Sequence, residues 1–289
     1  SIYAKNATNL KAVAKTEIEN KGYDYSTAEV LSIDHLISTY QSEPKELAET
    51  ERRVASLEIQ ITVNAMNTTT QTYETFTCSV KKSKESVRTF LLLVNPDGID
   101  GRILPSTRFK VEENDTEIVV TARGNGHGIG MSQNGANYYA TYGGYDYQSI
   151  LFHYYPGTTL VQEDASGTIT ANGVTGSVVD IISQIVYNEM SSSMHPEAMK
   201  AQAVAAYTYI QFYGGKVSGV ALKANPPQNV VDAVSSVLGQ ALYYNGDYAL
   251  TVYGASSGGA TANATDVFGT QYDYLVSVPS EYDADYDPY

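Results

Sequence analysis

The stretch Gly126-His127-Gly128-Ile129-Gly130-Met131-Ser132-Gln133-Asn134-Gly135-Ala136 places four glycines, one histidine and a helix-capping serine within eleven residues. Glycine admits positive φ and close backbone approach that a Cβ resists. Serine accepts a bond from the free amides of a helix's first turn. The spacing predicts a loop that displays His127, Ser132 and Gln133 at a surface, then a helix over 133–142 with Ser132 as its cap and Gly143-Gly144 as its stop. Asp146 caps a further short helix that ends before Pro156-Gly157.

On the C-terminal side, Gln162 through Gly176 is rich in Gly, Thr, Ser and Ala. It reads either as a flexible linker or as a turn-rich stretch holding a strand, Thr168-Ile169-Thr170. Ser177-Val178-Val179-Asp180 has the capping-box pattern, and Val178, Ile182, Ile185 and Val186 repeat at helical spacing. A helix is predicted from Pro196, a residue suited to the first helical position, to Tyr213. Ala241–Tyr244, Tyr248–Tyr253 and Tyr274–Val278 read as strands, with Asn245-Gly246 as a hairpin signal. On the N-terminal side, residues 1–50 read as polar helical segments, one over Thr8–Asn20 ending near Gly22 and one over Ser26–Leu31 with Asp34. Leu57, Ile59, Ile61 and Val63, then Tyr73, Phe76 and Val80, alternate as strands do. Arg102–Phe109 and Glu117–Ala122 add further strands. No internal repeat is visible.

Glu189 follows Val186, Ile185, Ile182 and Val178 by three, four, seven and eleven residues, so it shares their helix face. A carboxyl at the margin of an apolar core is desolvated, which disfavours its charged form and suits it to donate a proton to a leaving oxygen. A helix-end glutamate paired with a lysine, or capping a neighbouring helix, would show the same spacing. His127 is the second candidate, against the bland alternative of a hydrogen-bonded structural histidine. Tyr253-Gly254-Ala255-Ser256-Ser257-Gly258-Gly259-Ala260-Thr261 is the third: a strand followed by hydroxyls and free amides, or a plain loop. No H-E-x-x-H or phosphate-binding P-loop is present. The Asn-x-Ser/Thr triplets at Asn6, Asn67, Asn114 and Asn263 fit chance in a Thr-rich chain.

A formal net charge of −14 argues against nucleic acid and anionic membranes as partners. Tyrosine is abundant, 25 against 6 Phe and no Trp, and its apolar ring with a polar tip suits sugar recognition. The single cysteine, Cys78, excludes an internal disulfide and a multi-cysteine zinc site and reads as a buried strand residue. The longest apolar run, Phe90–Val94, reads as a buried strand, far short of the ~20 residues a membrane span needs.

Four blocks together resemble the SpoIID/LytB family of bacterial cell-wall lytic transglycosylases and their relatives. The glycine loop is similar to that family's G-H-G-[VI]-G-M-S-Q-x-G-A signature, and Tyr154-Tyr155-Pro156-Gly157-Thr158 to its Y-Y-P-G-T ending. Asn188-Glu189-Met190 with Pro196 through Ala206 is similar to its E-M-P…E-A-L-K-A-Q-A-V-A-A block. Ser257-Gly258-Gly259-Ala260-Thr261 with Asp266-Val267-Phe268-Gly269 is similar to its S-G-G-x-T…D-V-[WF]-G segment.

The resemblance implies an α+β fold, antiparallel β-sheets flanked by helices around a substrate groove, and a lytic transglycosylase that cleaves MurNAc–GlcNAc bonds of peptidoglycan to a 1,6-anhydro product. A glycan-binding module without catalysis and a muramidase-type hydrolase are the alternatives. Glu189 is the implied catalytic residue. His127, Ser132, Gln133, Lys200, Tyr207, Tyr253, Ser256 and Ser257 are the implied substrate-binding residues, with no metal and no cofactor. Peptidoglycan glycan strands are the implied ligand, cell-wall or membrane-anchored proteins the implied partners, and the bacterial cell wall or exterior the implied location, any anchor lying outside this sequence. In the family the glutamate block comes first and the glycine loop last. Here residues 1–160 are similar to the C-terminal half and 161–289 to the N-terminal half, as a circularly permuted single domain or a piece of two tandem domains would be. Two positions depart from the pattern: Ser191 stands where a proline is expected and Tyr207 where an arginine is. The latter removes a cation that would partner Glu189 or an anionic muramoyl group.

Overall fold

The structure, a computed structural model, describes residues 10–42, 52–83, 87, 106–113 and 118–286. The chain forms two compact units, Ser1–Arg123 and Gly124–Tyr289.

The first unit is built on a three-stranded antiparallel sheet of β1 (Glu29–Tyr40), β2 (Val54–Met66) and β3 (Tyr73–Ser83), with β2 in the middle. Strict alternation along β2 buries Leu57, Ile59, Ile61, Val63 and Ala65 on one face. Cys78 pairs with Ile61 across β3 and is fully buried. A hairpin of β4 (Phe109–Glu113) and β5 (Ile118–Ala122) completes the unit. A helix over Lys15–Asn20 buries Ile18 and is followed by Gly22 at positive φ, as the sequence predicts; Thr8 lies outside the described residues.

The helix predicted over Ser26–Leu31 with Asp34 is absent. Asp24 caps a single 3-10 turn at Tyr25–Thr27, and β1 follows. Register shifts at Val30/Ser32, Ile33/His35 and Thr39/Tyr40 interrupt its pairing with β2. Each irregularity displaces the side-chain alternation, so the period-2 signal of this strand is scrambled in sequence. Phe90–Val94, Arg102, Glu117, Asn6 and Asn114 lie outside the described residues.

In the second unit the predicted helices form at Gln133–Gly143, Tyr147–Tyr154, Val178–Glu189 and Pro196–Phe212. Ser132, Asp146 and Ser177 cap the first three, and Gly144 ends the first in the left-handed region. An additional helix, Gln228–Ser236, turns Val230, Ala233 and Val234 inward. Pro196–Phe212 is the central element. It buries Ala198, Met199, Ala201, Ala203, Val204, Ala205, Ala206 and Ile210, an all-round apolar surface that only an enclosed helix can carry. Helices Gln133–Gly143, Tyr147–Tyr154, Val178–Glu189 and Gln228–Ser236 pack on it.

The strands are short: β6 (Met131–Ser132), β7 (Thr159–Gln162), β8 (Thr168–Ala171), β9 (Val174–Ser177), β10 (Lys216–Val217), β11 (Gln240–Tyr244), β12 (Asp247–Tyr248) and β13 (Tyr253–Gly254). They form the sheets β10-β8-β9, β12-β11-β7 and β13-β6. The architecture is α+β. Most pairs are antiparallel, but β8–β10 and β6–β13 are parallel. The 162–176 stretch contains a strand hairpin, β8–β9, turning at Asn172-Gly173 with both residues at positive φ. Asn245-Gly246 likewise turns β11 into β12. The predicted strand over Tyr274–Val278 does not form. Its backbone is held by scattered bonds instead of a ladder: Val278 N–H donates to Thr261 Oγ1 at 2.8 Å and Ser277 N–H to Asn263 Oδ1 at 2.9 Å, while Thr261 N–H donates to Val278 O and Ala264 N–H to Leu275 O, both at 2.9 Å. Of Tyr248–Tyr253, only the two ends pair.

Candidate functional site

The glycine loop runs against the 252–258 segment, where Gly130 within it and Gly124 just before it are required. Gly130 has φ +68°, and a Cβ on it would stand 2.0 Å from the carbonyl oxygen of Val252. Gly124 has φ +74°, and a Cβ would stand 2.9 Å from the amide of Gly258. This close approach allows Tyr253 and Gly254 to pair with Met131 and Ser132. Tyr155, from the Tyr-Tyr-Pro-Gly-Thr block, is fully buried and donates its hydroxyl to Val252 O at 2.8 Å, bracing the same crossing.

The Gln133 helix starts at this crossing. Ser132 Oγ accepts from Gly135 N–H at 3.0 Å, and only 2% of the residue is exposed. Its hydroxyl is therefore a helix cap, not a group displayed at the surface. Gln133 points inward: its Nε2 donates to Glu189 Oε2 at 3.2 Å and to Gln202 Oε1 at 3.4 Å. Asn188 Nδ2 donates to the other carboxylate oxygen of Glu189 at 3.4 Å. Glu189 ends the Val178–Glu189 helix and is half-buried. The sequence places it at an apolar margin; the structure adds two side-chain amides that hold the carboxylate from either side.

A pocket of about 250 Å³ opens over this carboxylate, lined by His127, Glu189, Tyr209, Gly219, Val220, Val252 and Tyr253. His127 Nδ1 accepts from Ile129 N–H at 3.0 Å, which leaves the proton of a neutral ring on Nε2. The edge of Phe268 stands against the ring, centroids 5.7 Å apart. Burial, and after it the charge of Glu189, push the Tyr253 phenol up. Burial, then Tyr213, do the same for Tyr209. Both phenols are hydrogen-bond donors at neutral pH.

The structure thus brings together His127, Gln133, Glu189 and Tyr253, and sends the other sequence candidates elsewhere. Ser256 and Ser257 are each 1% exposed. Ser257 Oγ donates to Asp283 Oδ2 at 2.6 Å, Ser256 Oγ accepts from Gly258 N–H at 3.1 Å, and the Ser256 backbone bridges to Asn125. They brace the loop from behind. Lys200 pairs with Glu197 Oε1 at 2.6 Å. Burial pushes Glu197 up, but Lys200 and the Tyr147 N–H outweigh it and hold the carboxyl below its ordinary value. Tyr207 lies five residues beyond Gln202, about 140° around the helix, and donates to Glu163 Oε2 at 3.1 Å. Its phenol is pushed up to about 12 by burial and then by Glu163. Position 207 therefore faces Glu163 and lies outside the pocket lining.

Asn188, Gln202, Tyr209, Gly219, Val220 and Val252 are contributors that the sequence reading does not single out. Gln202 and Tyr209 carried a signal: they stand seven residues apart on one face of the central helix, polar among alanines. Gly219 and Val220 lie in an irregular connection after β10 and carried none. Among the described residues no group of three or more His, Cys, Asp or Glu is arranged to hold a metal ion, and no helix is long and apolar enough to cross a membrane.

Residues 175–256 match the sequence model of SpoIID, described as Stage II sporulation protein. The chain is 29% identical over 155 residues to an amidase enhancer of Bacillus subtilis (strain 168), covering 54% of this chain and 20% of that protein. It is 45% identical over 62 residues to the stage II sporulation protein D of the same organism, covering 22% of this chain and 18% of that protein. The protein of that name from Bacillus amyloliquefaciens is 42% identical over 62 residues, covering 22% of this chain and 18% of that protein. The matches span about a fifth of the length of these curated relatives. The matched segment contains the Glu189 helix, the central helix and the pocket's Tyr253 wall, and over it this chain is similar to the SpoIID family.

Proposed function

We propose that the second unit is a cell-wall glycan-cleaving domain, a lytic transglycosylase with Glu189 as its single acid and base. The observation that carries this reading is the meeting of Glu189 and His127 at one pocket, with Gln133 at the start of the glycine-loop helix bonded to that carboxylate. The family match and the relatives named for sporulation and amidase enhancement support a cell-wall-related role and a cell-envelope location.

In the proposed reaction Glu189 donates its proton to the oxygen linking MurNAc C1 to the next GlcNAc, and that C1–O bond breaks. The C6 hydroxyl of the same muramoyl ring attacks C1, and its proton passes to the Glu189 carboxylate. The products are a 1,6-anhydro end and a free hydroxyl end, and the acid is restored. One carboxyl suffices because the nucleophile belongs to the substrate, whereas the usual glycosidase pair needs a second group for water or for a covalent intermediate. Gln133 and Asn188 hold the carboxylate in one orientation, His127 Nε2–H offers a donor to the sugar, and Tyr209 and Tyr253 offer rings and hydroxyls.

The test is mass spectrometry of glycan strands digested by the purified protein. Anhydro ends support transglycosylation, reducing ends require water as nucleophile, and intact strands that remain bound require a binding module. The one observation that speaks for the last reading is the placement of Lys200 and Tyr207, both engaged with glutamates other than Glu189. Glu189→Gln is expected to remove cleavage while leaving the far-ultraviolet circular dichroism unchanged. Full activity in that variant overturns the assignment.

A further inference from the structure

Gln202 lies within the central helix and is fully buried, between Met199 and Ala201 on one side and Ala203, Val204 and Ala205 on the other. A glutamine is out of place in such a stretch. Its amide is taken out of water, and its Nε2 has no hydrogen-bond partner among the described residues. An unsatisfied buried donor is unfavourable, and a methionine of similar size and flexibility would avoid it. What the amide does make is one directed bond: its Oε1 accepts from Gln133 Nε2 at 3.4 Å. The same Gln133 nitrogen donates to Glu189 Oε2 at 3.2 Å.

We infer that Gln202 is a positioning residue for Glu189 that acts through Gln133: its carbonyl oxygen fixes which end of the Gln133 amide meets the carboxylate. The inference rests on the reading of Glu189 as acid and base given above. The two ends of a side-chain amide are similar in shape and opposite in role, one a donor and one an acceptor. Turned by half a rotation about its last bond, Gln133 places Oε1 against Glu189 Oε2, an acceptor against an acceptor. With Gln202 Oε1 beside it, the turned amide faces a second acceptor and loses a second bond. Gln133 is itself buried, so little water replaces those bonds. One hydrogen bond is enough to lower the share of the turned form about fivefold. The bearing of the carboxylate is thus set from the core outward. Gln202 sits on the helix that the others pack against, Gln133 begins one of those helices, and Glu189 ends another.

The experiment reads Gln133 directly. Side-chain amide signals of the isotope-labelled full chain are recorded by nuclear magnetic resonance for the unaltered protein, for Gln133→Ala and for Gln202→Met. The Gln133 pair is identified by its loss in Gln133→Ala. In Gln202→Met that pair is expected to move toward the position of solvent-exposed glutamines as the amide begins to turn, and an unmoved pair overturns the inference. Initial rates of new glycan ends are then measured over a range of substrate. Gln202→Met is expected to lower kcat about fivefold with KM nearly unchanged, and to lower it less than about twofold when Gln133 is already alanine, since a residue that acts through another then has nothing to act on. An equal fall in both backgrounds shows a general structural effect and overturns the inference. The reciprocal measurement leaves position 202 intact: Gln133→Ala is expected to move the amide signals of Gln202, and unmoved signals overturn the inference even if Gln202→Met fails to fold. If the unaltered protein releases no glycan ends, the acid reading fails, and the amide signals decide by themselves whether Gln202 holds Gln133.

Discussion

Gln133 reaches from the first turn of the glycine-loop helix to Glu189, the last residue of the Val178–Glu189 helix, and donates its amide hydrogen to the carboxylate at 3.2 Å. Two segments 56 residues apart in sequence are joined at a carboxylate that lines the pocket.

Removing that amide leaves the carboxylate, among the described residues, with the Asn188 side chain as its hydrogen-bond donor. Gln133→Ala is expected to lower the turnover of glycan at saturating substrate about tenfold or more, because an acid held in several orientations meets the leaving oxygen less often. A hydrogen bond to a charged group contributes about 1.5–3 kcal/mol, so a loss of stability of that order is also expected. Initial-rate measurements of new glycan ends, paired with urea unfolding, separate the two effects. An unchanged kcat shows that Gln133 does not orient Glu189.

Gly130 is expected to tolerate no side chain. Gly130→Ala combines positive φ with a Cβ placed 2.0 Å from Val252 O, so the crossing of loop and strand must open. The cost is expected at about 3 kcal/mol or more. Gly144→Ala is the control: its φ is +67° and nothing lies within 4 Å of the added carbon, so only the backbone penalty of about 1 kcal/mol applies. Equal destabilisation of the two variants in chemical unfolding contradicts the packing account.

Ser257 separates a bracing role from a substrate-binding one. Its hydroxyl and amide both donate to Asp283, which is fully buried. Ser257→Ala removes one charge-assisted bond inside the protein and is expected to lower stability by about 1.5–3 kcal/mol. Raised KM for glycan with an unchanged melting temperature would instead place Ser257 against substrate.

Cys78 gives a pH signature for the first unit. Burial pushes its thiol up from 9.0 to about 11. The folded state thus holds its proton more tightly than the unfolded state. The corresponding stability is fully present below about pH 9 and declines as pH rises through about 11. Denaturation midpoints measured from pH 8 to pH 11 are expected to fall more steeply for the unaltered protein than for Cys78→Ala. The thiol is also expected to resist alkylation at pH 8 until the protein is unfolded, since the thiolate is the reactive form.

Local chemistry carries much of this fold in plain view. Ser132, Asp146 and Ser177 each announce a helix start, Gly144 a helix end, and Asn245-Gly246 a hairpin, because caps and tight turns depend on a few neighbouring atoms. The alternation of β2 and the Glu189 face of its helix were legible for the same reason: their periods are properties of the chain alone. β1 was not, since its irregular pairing with β2 displaces the alternation that sequence reading relies on. The 274–278 segment was not, since hydroxyl and amide side chains and isolated backbone bonds take the place of the ladder that its apolar pattern suggests.

The site divides along the same line. Sequence alone singled out His127, Gln133, Glu189 and Tyr253, by residue type, by helical phase and by family resemblance. Only the tertiary structure decided which candidates share a pocket and which turn inward: Ser132 to Gly135, Ser257 to Asp283, Lys200 to Glu197 and Tyr207 to Glu163. A residue's type sets what it can bond. The partner it bonds is set by which distant segments the packed core brings within about 3 Å, a distance no local pattern encodes.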